Sequence, residues 1–275
     1  MFNRLKMRSS ALVMVVLAGL GLSRCDRPDP LDMAAFDALY SDPAVASPGP
    51  QRVFFVGHSL VGRDMPAMLA QLSAADMAGY ESQLGWGASM KSHWDPDVPV
   101  NGFEVENAHP RYRDAREAVV SGDYDVLVLT EMVEIRDAIK YFDSGDYLHR
   151  FARAAWEANP QTRVYFYETW HPLSDPDGWL ARVDQDLARY WEGEIMRRAA
   201  AYDGMDRPIY LIPAGQVMAQ LVREVEAGQG APGLTSRADL FSDDIHLTDQ
   251  GLYLVALVHY AVIHQRAPIG LPHAL

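Results

Sequence analysis

The chain has 275 residues, 49% of them hydrophobic and 22% charged, which excludes a disordered, collagenous or disulfide-stapled class and allows one large domain or two small ones. The formal net charge is −13, but the first 24 residues contain four basic and no acidic residues, so the remainder carries −17. Because an acidic surface repels phosphate backbones, this composition argues against a nucleic-acid partner.

The N-terminal segment has the pattern of a secretory signal peptide. Residues 1–10 are basic, and residues 11–22 form an uncharged run shorter than the roughly 20 apolar residues that a membrane-spanning helix needs. We therefore predict a signal peptide over residues 1–23 and an exported protein, periplasmic or extracellular. Cys25, the only cysteine, resembles the lipid-attached cysteine of bacterial lipoproteins and would form a membrane tether, although Arg24 replaces the small residue of that pattern. The alternative is a soluble exported protein.

A proline-rich segment precedes the main domain. Residues 24–50 contain five prolines around a helical patch at 31–40, which predicts a tether or a surface strap. From residue 51 to residue 275 the pattern is that of one domain, in which strand-like and helix-like stretches alternate. Four short apolar runs predict strands buried on both faces of a parallel sheet, with a weaker strand near 80–86. The four runs are Arg52–Val56, Tyr124–Thr130, Arg163–Glu168 and Ile209–Ile212.

Helical patterns fall between these strands. They cover Asp64–Met77, Ser144–Ala158, Trp179–Ala201, Gly215–Ala227 and Asp249–Gln265, whereas residues 88–118 show no clean period and are interpreted as a long insertion. The alternation predicts an α/β domain with right-handed crossovers. Ligands of such sheets bind beyond the carboxyl ends of the strands, and small and polar residues are dense there. The stretches concerned are 57–60, 85–87, 130–131 and 169–171.

Ser59 follows the first strand in a glycine-flanked turn and precedes a helix. This place suits a nucleophile, because the turn exposes the hydroxyl and the helix N-terminus adds positive potential. The alternative is a helix N-cap, which is common at such turns. The G-x-S-x-G elbow of α/β-hydrolases is not present, because Val61 stands in place of its second glycine.

A second polar cluster, residues 241–248, comes just before the last helix. Asp243 and His246 are three residues apart, so one tight turn can present both, with the carboxylate holding one ring nitrogen and the other nitrogen facing Ser59. Asp244 competes for the orienting role. The alternatives are a capped surface loop and a metal-dependent hydrolase site that uses Asp243, Asp244 and His246.

Taken in order, these motifs resemble those of the SGNH, or GDSL-type, serine hydrolase family. Residues 57–60, Gly-His-Ser-Leu, resemble the first block, with His58 in place of its Asp or Asn, and Gly85 and Gly87 resemble the second. Asp243-x-x-His246 matches the final block. The third block, G-x-N-D, is not matched, because the strand ends in Leu-Thr-Glu-Met at 129–132 with no asparagine.

The resemblance implies a three-layer α/β/α sandwich, flavodoxin-like, with about five parallel strands. It also implies ester hydrolysis through an acyl-enzyme without a metal or cofactor, on a small-molecule or carbohydrate ester, with a carbohydrate O-acetyl ester as one candidate. Ser59 would attack, His246 would carry the proton and Asp243 would orient His246. Backbone amides of Ser59 and of a glycine within 85–87 would hold the oxyanion. The missing asparagine leaves open a non-catalytic binding or scaffold protein with the same fold.

Four further residues are assigned to the oxyanion and substrate region. Thr130 is predicted to supply the missing oxyanion donor, unless backbone amides act alone. Glu131, which can only accept hydrogen bonds when ionised, is expected to point away, toward residues 170–171 or a substrate hydroxyl, or to tie loops together. Trp170 and His171 either wall the pocket or pack as ordinary loop residues.

Overall fold

The structure is a computed structural model that describes residues 27–42 and 44–273. The predicted signal peptide and Cys25 lie outside these residues. Within the described part of the chain, no helix is long and apolar enough to cross a membrane.

A five-stranded parallel sheet forms the middle layer. Its strands are β1 (Gln51–His58), β2 (Met77–Gly85), β3 (Val126–Leu129), β4 (Arg163–Glu168) and β5 (Tyr210–Pro213), in the order β2-β1-β3-β4-β5. Every neighbouring pair is parallel. This order is the flavodoxin-like one, so the predicted fold class is confirmed.

Helices cover both faces of the sheet. They are α1 (Met33–Ala38), α2 (Asp64–Leu72), α3 (Met90–Trp94), α4 (Phe103–Glu106), α5 (Ala115–Ser121), α6 (Ile135–Tyr141), α7 (Ser144–Ala158), α8 (Trp179–Asp186), α9 (Arg197–Ala199), α10 (Ala214–Glu226) and α11 (Asp249–His264), with a π-helix over Leu187–Met196 and a 3-10 turn over Arg237–Asp239.

Two hydrophobic cores lie on opposite sides of the sheet, because successive side chains of a strand point to opposite faces. Val53 and Phe55 of β1 pack with α2, α10 and α11, whereas Phe54 and Val56 pack with α5, α7 and the π-helix. All four side chains are fully buried. The near-continuous apolar sequence of the strands follows from this burial on both faces.

Several element boundaries differ from the prediction: the helix predicted over Trp179–Ala201 is α8, the π-helix and α9 in succession, and β3 covers only Val126–Leu129. The helix expected over 64–77 ends at Leu72, and β2 begins at Met77 rather than near Tyr80. A turn ends the helix here, in which the amides of Asp76 and Met77 both donate to the carbonyl of Ser73. The aperiodic stretch 88–118 contains α3, α4 and the start of α5, helices too short to show a helical period.

The proline-rich segment lies along the surface of the domain where the structure describes it. The phenol of Tyr40 donates to the Ile209 carbonyl at 2.7 Å, and Phe36 is buried against the second core. The amide of Leu31 donates to the Arg197 carbonyl at 2.9 Å.

Candidate active site

The strand order reverses between β1 and β3, and in open α/β sheets the ligand crevice forms at such a point, beyond the carboxyl ends of the strands. Ser59 directly follows β1, and Thr130 directly follows β3. Gly85, the last residue of β2, pairs with His58 across the sheet. The sequence therefore places its candidate residues at the topological switch point.

A continuous hydrogen-bonded chain joins Ser59, His246 and Asp243. His246 Nε2 lies 2.9 Å from Ser59 Oγ, and His246 Nδ1 lies 2.7 Å from Asp243 Oδ2. Because the ionised carboxylate can only accept, Nδ1 carries a proton and donates it, which leaves Nε2 as the acceptor of the Ser59 hydroxyl. This is the tautomer that a general base next to a serine requires.

Asp243 is held as an anion by its own turn. Its Oδ1 accepts the amides of Ile245 at 2.8 Å and His246 at 2.6 Å. These backbone amides, followed by the His246 ring, lower the pKa of Asp243 to about 2. The side chains of Asp243 and His246 are 55% and 44% exposed, so the site opens directly to solvent.

Asp244 faces away from His246 and anchors the loop instead. Its Oδ1 accepts the Ser174 amide at 2.9 Å and its Oδ2 accepts the Ser174 hydroxyl at 2.5 Å. Its carbonyl accepts the Leu173 amide at 2.7 Å. The residue beside Asp243 therefore binds the loop after β4 and leaves the contact with His246 to Asp243.

Trp170 and His171 do not wall the site, contrary to one of their two predicted roles. Trp170 is completely buried and its Nε1 donates to the Ile245 carbonyl at 2.9 Å, underneath the turn that carries His246. His171 is also buried, with Nε2 at 3.0 Å from Asp186 Oδ2. Both residues pack below the surface because the chain turns inward after β4.

Thr130 does not supply an oxyanion donor, and that prediction is corrected. Its hydroxyl donates to the Tyr167 carbonyl of β4 at 2.7 Å, and its side chain is fully buried. A hydroxyl at a buried strand end is satisfied by the nearest carbonyl, because leaving it unpaired is costly.

Glu131 ties loops together and is fully buried. Its Oε1 accepts the amides of Met132 at 2.8 Å and of Met90, the first residue of α3, at 3.2 Å. Burial raises the pKa of Glu131 to about 7, against the lowering effect of these donors. The carboxylate therefore joins β3 to α3, and it points toward neither Trp170 nor the open site.

His58 supports the turn that carries Ser59. Its Nδ1 accepts the Leu60 amide at 3.3 Å and its Nε2 donates to the Glu131 carbonyl at 2.8 Å. Burial lowers its pKa to about 4, so the ring is neutral near pH 7. His93, which the sequence did not single out, is a second buried histidine that binds a backbone carbonyl near Ser59. Its Nε2 lies 2.9 Å from the Gly57 carbonyl oxygen, and its Nδ1 lies 3.0 Å from Gln83 Nε2.

Trp86 belongs to the stretch 85–87 that the sequence placed at the ligand end of the sheet, but the sequence analysis gave it no role of its own. It lies between Gly85 and Gly87 in the turn after β2 and is 51% exposed. Gly85 has no room for a side chain, because a Cβ there would lie 2.2 Å from Val100 Cγ1. A bulky aromatic residue between two glycines, at a strand end, was the available signal.

Comparison with known proteins gives matches among solved structures. No family model matches the chain, and no curated protein matches it. The chain is similar to a putative GDSL-like lipase from Parabacteroides merdae, with a TM-score of 0.49 at 13% identity, over 82% of this chain and 100% of that one. It is also similar to a family 3 carbohydrate esterase from Talaromyces cellulolyticus, with a TM-score of 0.43 at 11% identity, over 78% of this chain and 96% of that one. A family 3 carbohydrate esterase from Clostridium thermocellum gives a TM-score of 0.43 at 12% identity, over 77% of this chain and 94% of that one. These matches have 11–13% sequence identity and do not assign a reaction to this chain, so any assignment has to be argued from the geometry around Ser59.

Proposed function

We propose that the protein is a serine ester hydrolase of the SGNH type that works through an acyl-enzyme, with an acylated carbohydrate as its substrate. The observation that carries the hydrolase assignment is the hydrogen-bonded chain from Ser59 Oγ through His246 to Asp243. Its position at the switch point of the sheet supports the same assignment.

The reaction follows from the protonation states in this chain. Ser59 Oγ attacks the ester carbonyl carbon while His246 Nε2 takes the hydroxyl proton, and the anionic Asp243 stabilises the imidazolium that forms. When the tetrahedral intermediate collapses, the bond to the alcohol breaks and His246 returns the proton to the leaving oxygen. Water then attacks the acyl-enzyme with His246 again as base, which releases the acid and restores Ser59.

Backbone amides stabilise the oxyanion in this proposal. The Thr130 hydroxyl is bound to Tyr167, and the Trp86 amide donates to the Asn101 carbonyl at 2.7 Å. The amide of Ser59 and that of Gly85 or Gly87 are the remaining candidates beside the nucleophile. A site with fewer donors stabilises the transition state less, by about 10²–10³ in rate for each donor.

A fluorophosphonate probe tests the proposal directly. Wild-type protein should gain the mass of one phosphonyl group on Ser59, and Ser59→Ala should gain none. Ser59→Ala and His246→Ala should each lower kcat for ethyl acetate by several orders of magnitude, and the double variant by little more, because the residues act as a unit. A folded wild-type protein without labelling or turnover would instead indicate a binding or scaffold protein.

Export is the second part of the proposal. The basic, apolar and small-residue order of residues 1–23 supports removal of a signal peptide, with Cys25 as a candidate lipid anchor. Intact-mass analysis of protein purified from its native host should show a chain that begins near residue 24, and added mass on Cys25 would identify the anchor. A native chain that retains Met1 through Leu22 would contradict export.

A further inference from the structure

Trp86 presents a large exposed aromatic surface at the end of β2, the strand that neighbours the one before Ser59. It follows Gly85, whose Cα pairs with that of His58, so Trp86 and Ser59 leave neighbouring strands at the same end of the sheet. Half of its surface is exposed, whereas Trp170 and Trp191 are completely buried. An exposed indole at this position needs an explanation beyond core packing.

The indole is held in one orientation. Its Nε1 donates to Glu106 Oε1 at 2.7 Å. One ring face lies against the backbone of Gly102, where a Cβ would be only 2.3 Å from Trp86 Cδ2. Because one face is covered and the edge is tied, binding to the other face costs little conformational entropy.

Helix α4, which contains Glu106, is also hydrogen-bonded to the chain that follows Ser59. Arg63, four residues after Ser59, donates through Nε to the Glu106 carbonyl at 3.2 Å and also binds the Val105 carbonyl. Helix α4 therefore connects the turn of Ser59 with the ring of Trp86.

We infer that Trp86 is a platform on which a sugar ring of the substrate stacks while its ester reaches Ser59; this rests on the proposed hydrolase function. The faces of a pyranose ring consist of C–H groups, which pack on the electron-rich face of an indole, and its hydroxyls project from the edge. The carboxylate of Glu106 and the guanidinium of Arg63 lie at the edge of the platform, where polar groups fix the orientation of such a ligand.

A long acyl chain fits this place less well. The triad of Ser59, His246 and Asp243 is open to solvent, and the platform is one flat ring rather than an apolar tunnel. An apolar cavity of about 700 Å³, lined by Met68, Leu221, Leu254 and their neighbours, lies between α2, α10 and α11, and none of the triad residues lines it. The aromatic surface of Trp86 therefore favours a ring with polar edges over a fatty acid.

The test compares two acetate esters that differ in the alcohol. For a mono-O-acetylated methyl xylopyranoside, Trp86→Ala should raise KM about 10- to 50-fold with a smaller effect on kcat, because ground-state and transition-state binding are lost together. Ethyl acetate has no ring to stack on the indole, so its loss of kcat/KM should be at least about fivefold smaller than the loss for the sugar ester. Trp86→Phe keeps a flat ring and should retain most of the affinity for the sugar ester.

Tyr141→Ala serves as the matched control, because Tyr141 is a comparably exposed aromatic residue, at the end of α6. It should leave both esters unaffected. Labelling of Ser59 by the fluorophosphonate shows that each variant keeps its active site. The inference would be overturned if the Trp86→Ala enzyme, labelled normally, kept its activity on both esters or lost the same fraction of activity on both. It would also be overturned if the variant lost activity on a long-chain ester, vinyl laurate, but not on the acetylated xyloside. Wild-type protein that is neither labelled nor active would refute the hydrolase itself.

Discussion

At the scale of single residues, two neighbouring carboxylates have separate roles. Asp243 accepts two backbone amides and the His246 ring, whereas Asp244 accepts the amide and hydroxyl of Ser174. Only the first carboxylate can fix the tautomer of His246. The second fixes the position of the loop, so the two should respond differently to the loss of charge.

Asp243→Asn should lower kcat for ethyl acetate about 10³- to 10⁴-fold, because an amide that donates to Nδ1 leaves the proton on Nε2, where it blocks the Ser59 hydroxyl. Asp244→Asn keeps one acceptor for Ser174, so kcat should fall by less than about tenfold. Steady-state kinetics of both purified variants, with circular dichroism as a control for folding, measures the difference. Equal losses, or a larger loss in Asp244→Asn, would show that Asp244 orients the base.

The sequence predicted that Ser59, His246 and Asp243 lie together, but it did not predict the contacts of their neighbours. Spacing within one turn was enough to bring Asp243 to His246, because the contact is local. Thr130 binds Tyr167, which is 37 positions away, and Trp170 binds Ile245, which is 75 positions away. Which partner a buried donor finds depends on tertiary packing, and no local pattern in the sequence encodes it.

At the scale of elements, the loop after β4 supports the turn that carries His246. Trp170 Nε1 binds the Ile245 carbonyl, and the Leu173 and Ser174 amides bind Asp244. These hydrogen bonds hold residues 243–246 from below while the exposed side remains open. The geometry of the hydrogen bonds among Ser59, His246 and Asp243 should therefore depend on Trp170, a buried residue outside this chain of hydrogen bonds.

Trp170→Phe removes the hydrogen bond to Ile245 and keeps an aromatic ring in the core. We expect kcat to fall about 3- to 10-fold with little change in KM, because a buried carbonyl loses its donor and the His246 turn loosens. Trp179→Phe is the matched control, since Trp179 is also buried and its Nε1 has no hydrogen-bond partner within the described residues. A comparable loss of kcat in both variants would assign the effect to core packing.

Element boundaries show why periodicity predicted the sheet better than the insertion. The central strands β1, β3 and β4 are buried on both faces, and their apolar runs are visible in the sequence without knowledge of their neighbours. Helices α3 and α4 have five and four residues, too few for a helical period. Their positions depend on long-range contacts such as Trp86 Nε1 with Glu106.

At the scale of the whole molecule, buried titratable groups act in opposite directions on stability. Burial lowers the pKa of His58, His93 and His259 to about 4, from the ordinary 6.5. Burial raises the pKa of Glu131 to about 7 and that of Glu168 to about 8, from 4.5. The unfolded chain therefore binds more protons at the histidines, and the folded chain binds more protons at the glutamates.

The free energy of unfolding should consequently pass through a maximum near pH 6.5. Between about pH 4.5 and 6.5 the unfolded chain binds three more protons at the histidines and two fewer at the glutamates, so stability rises with pH. Above about pH 6.5 the histidines are neutral in both states. Stability then falls until about pH 8, because the glutamates bind protons in the folded chain and are ionised in the unfolded chain. Urea unfolding at pH 5, 6.5 and 8 measures this curve. Glu168→Gln should flatten the alkaline decline because it removes the group with the higher pKa, whereas Glu117→Gln on the exposed side of α5 should not. A decline that persists unchanged in Glu168→Gln and in Glu131→Gln would show that neither buried carboxylate controls it.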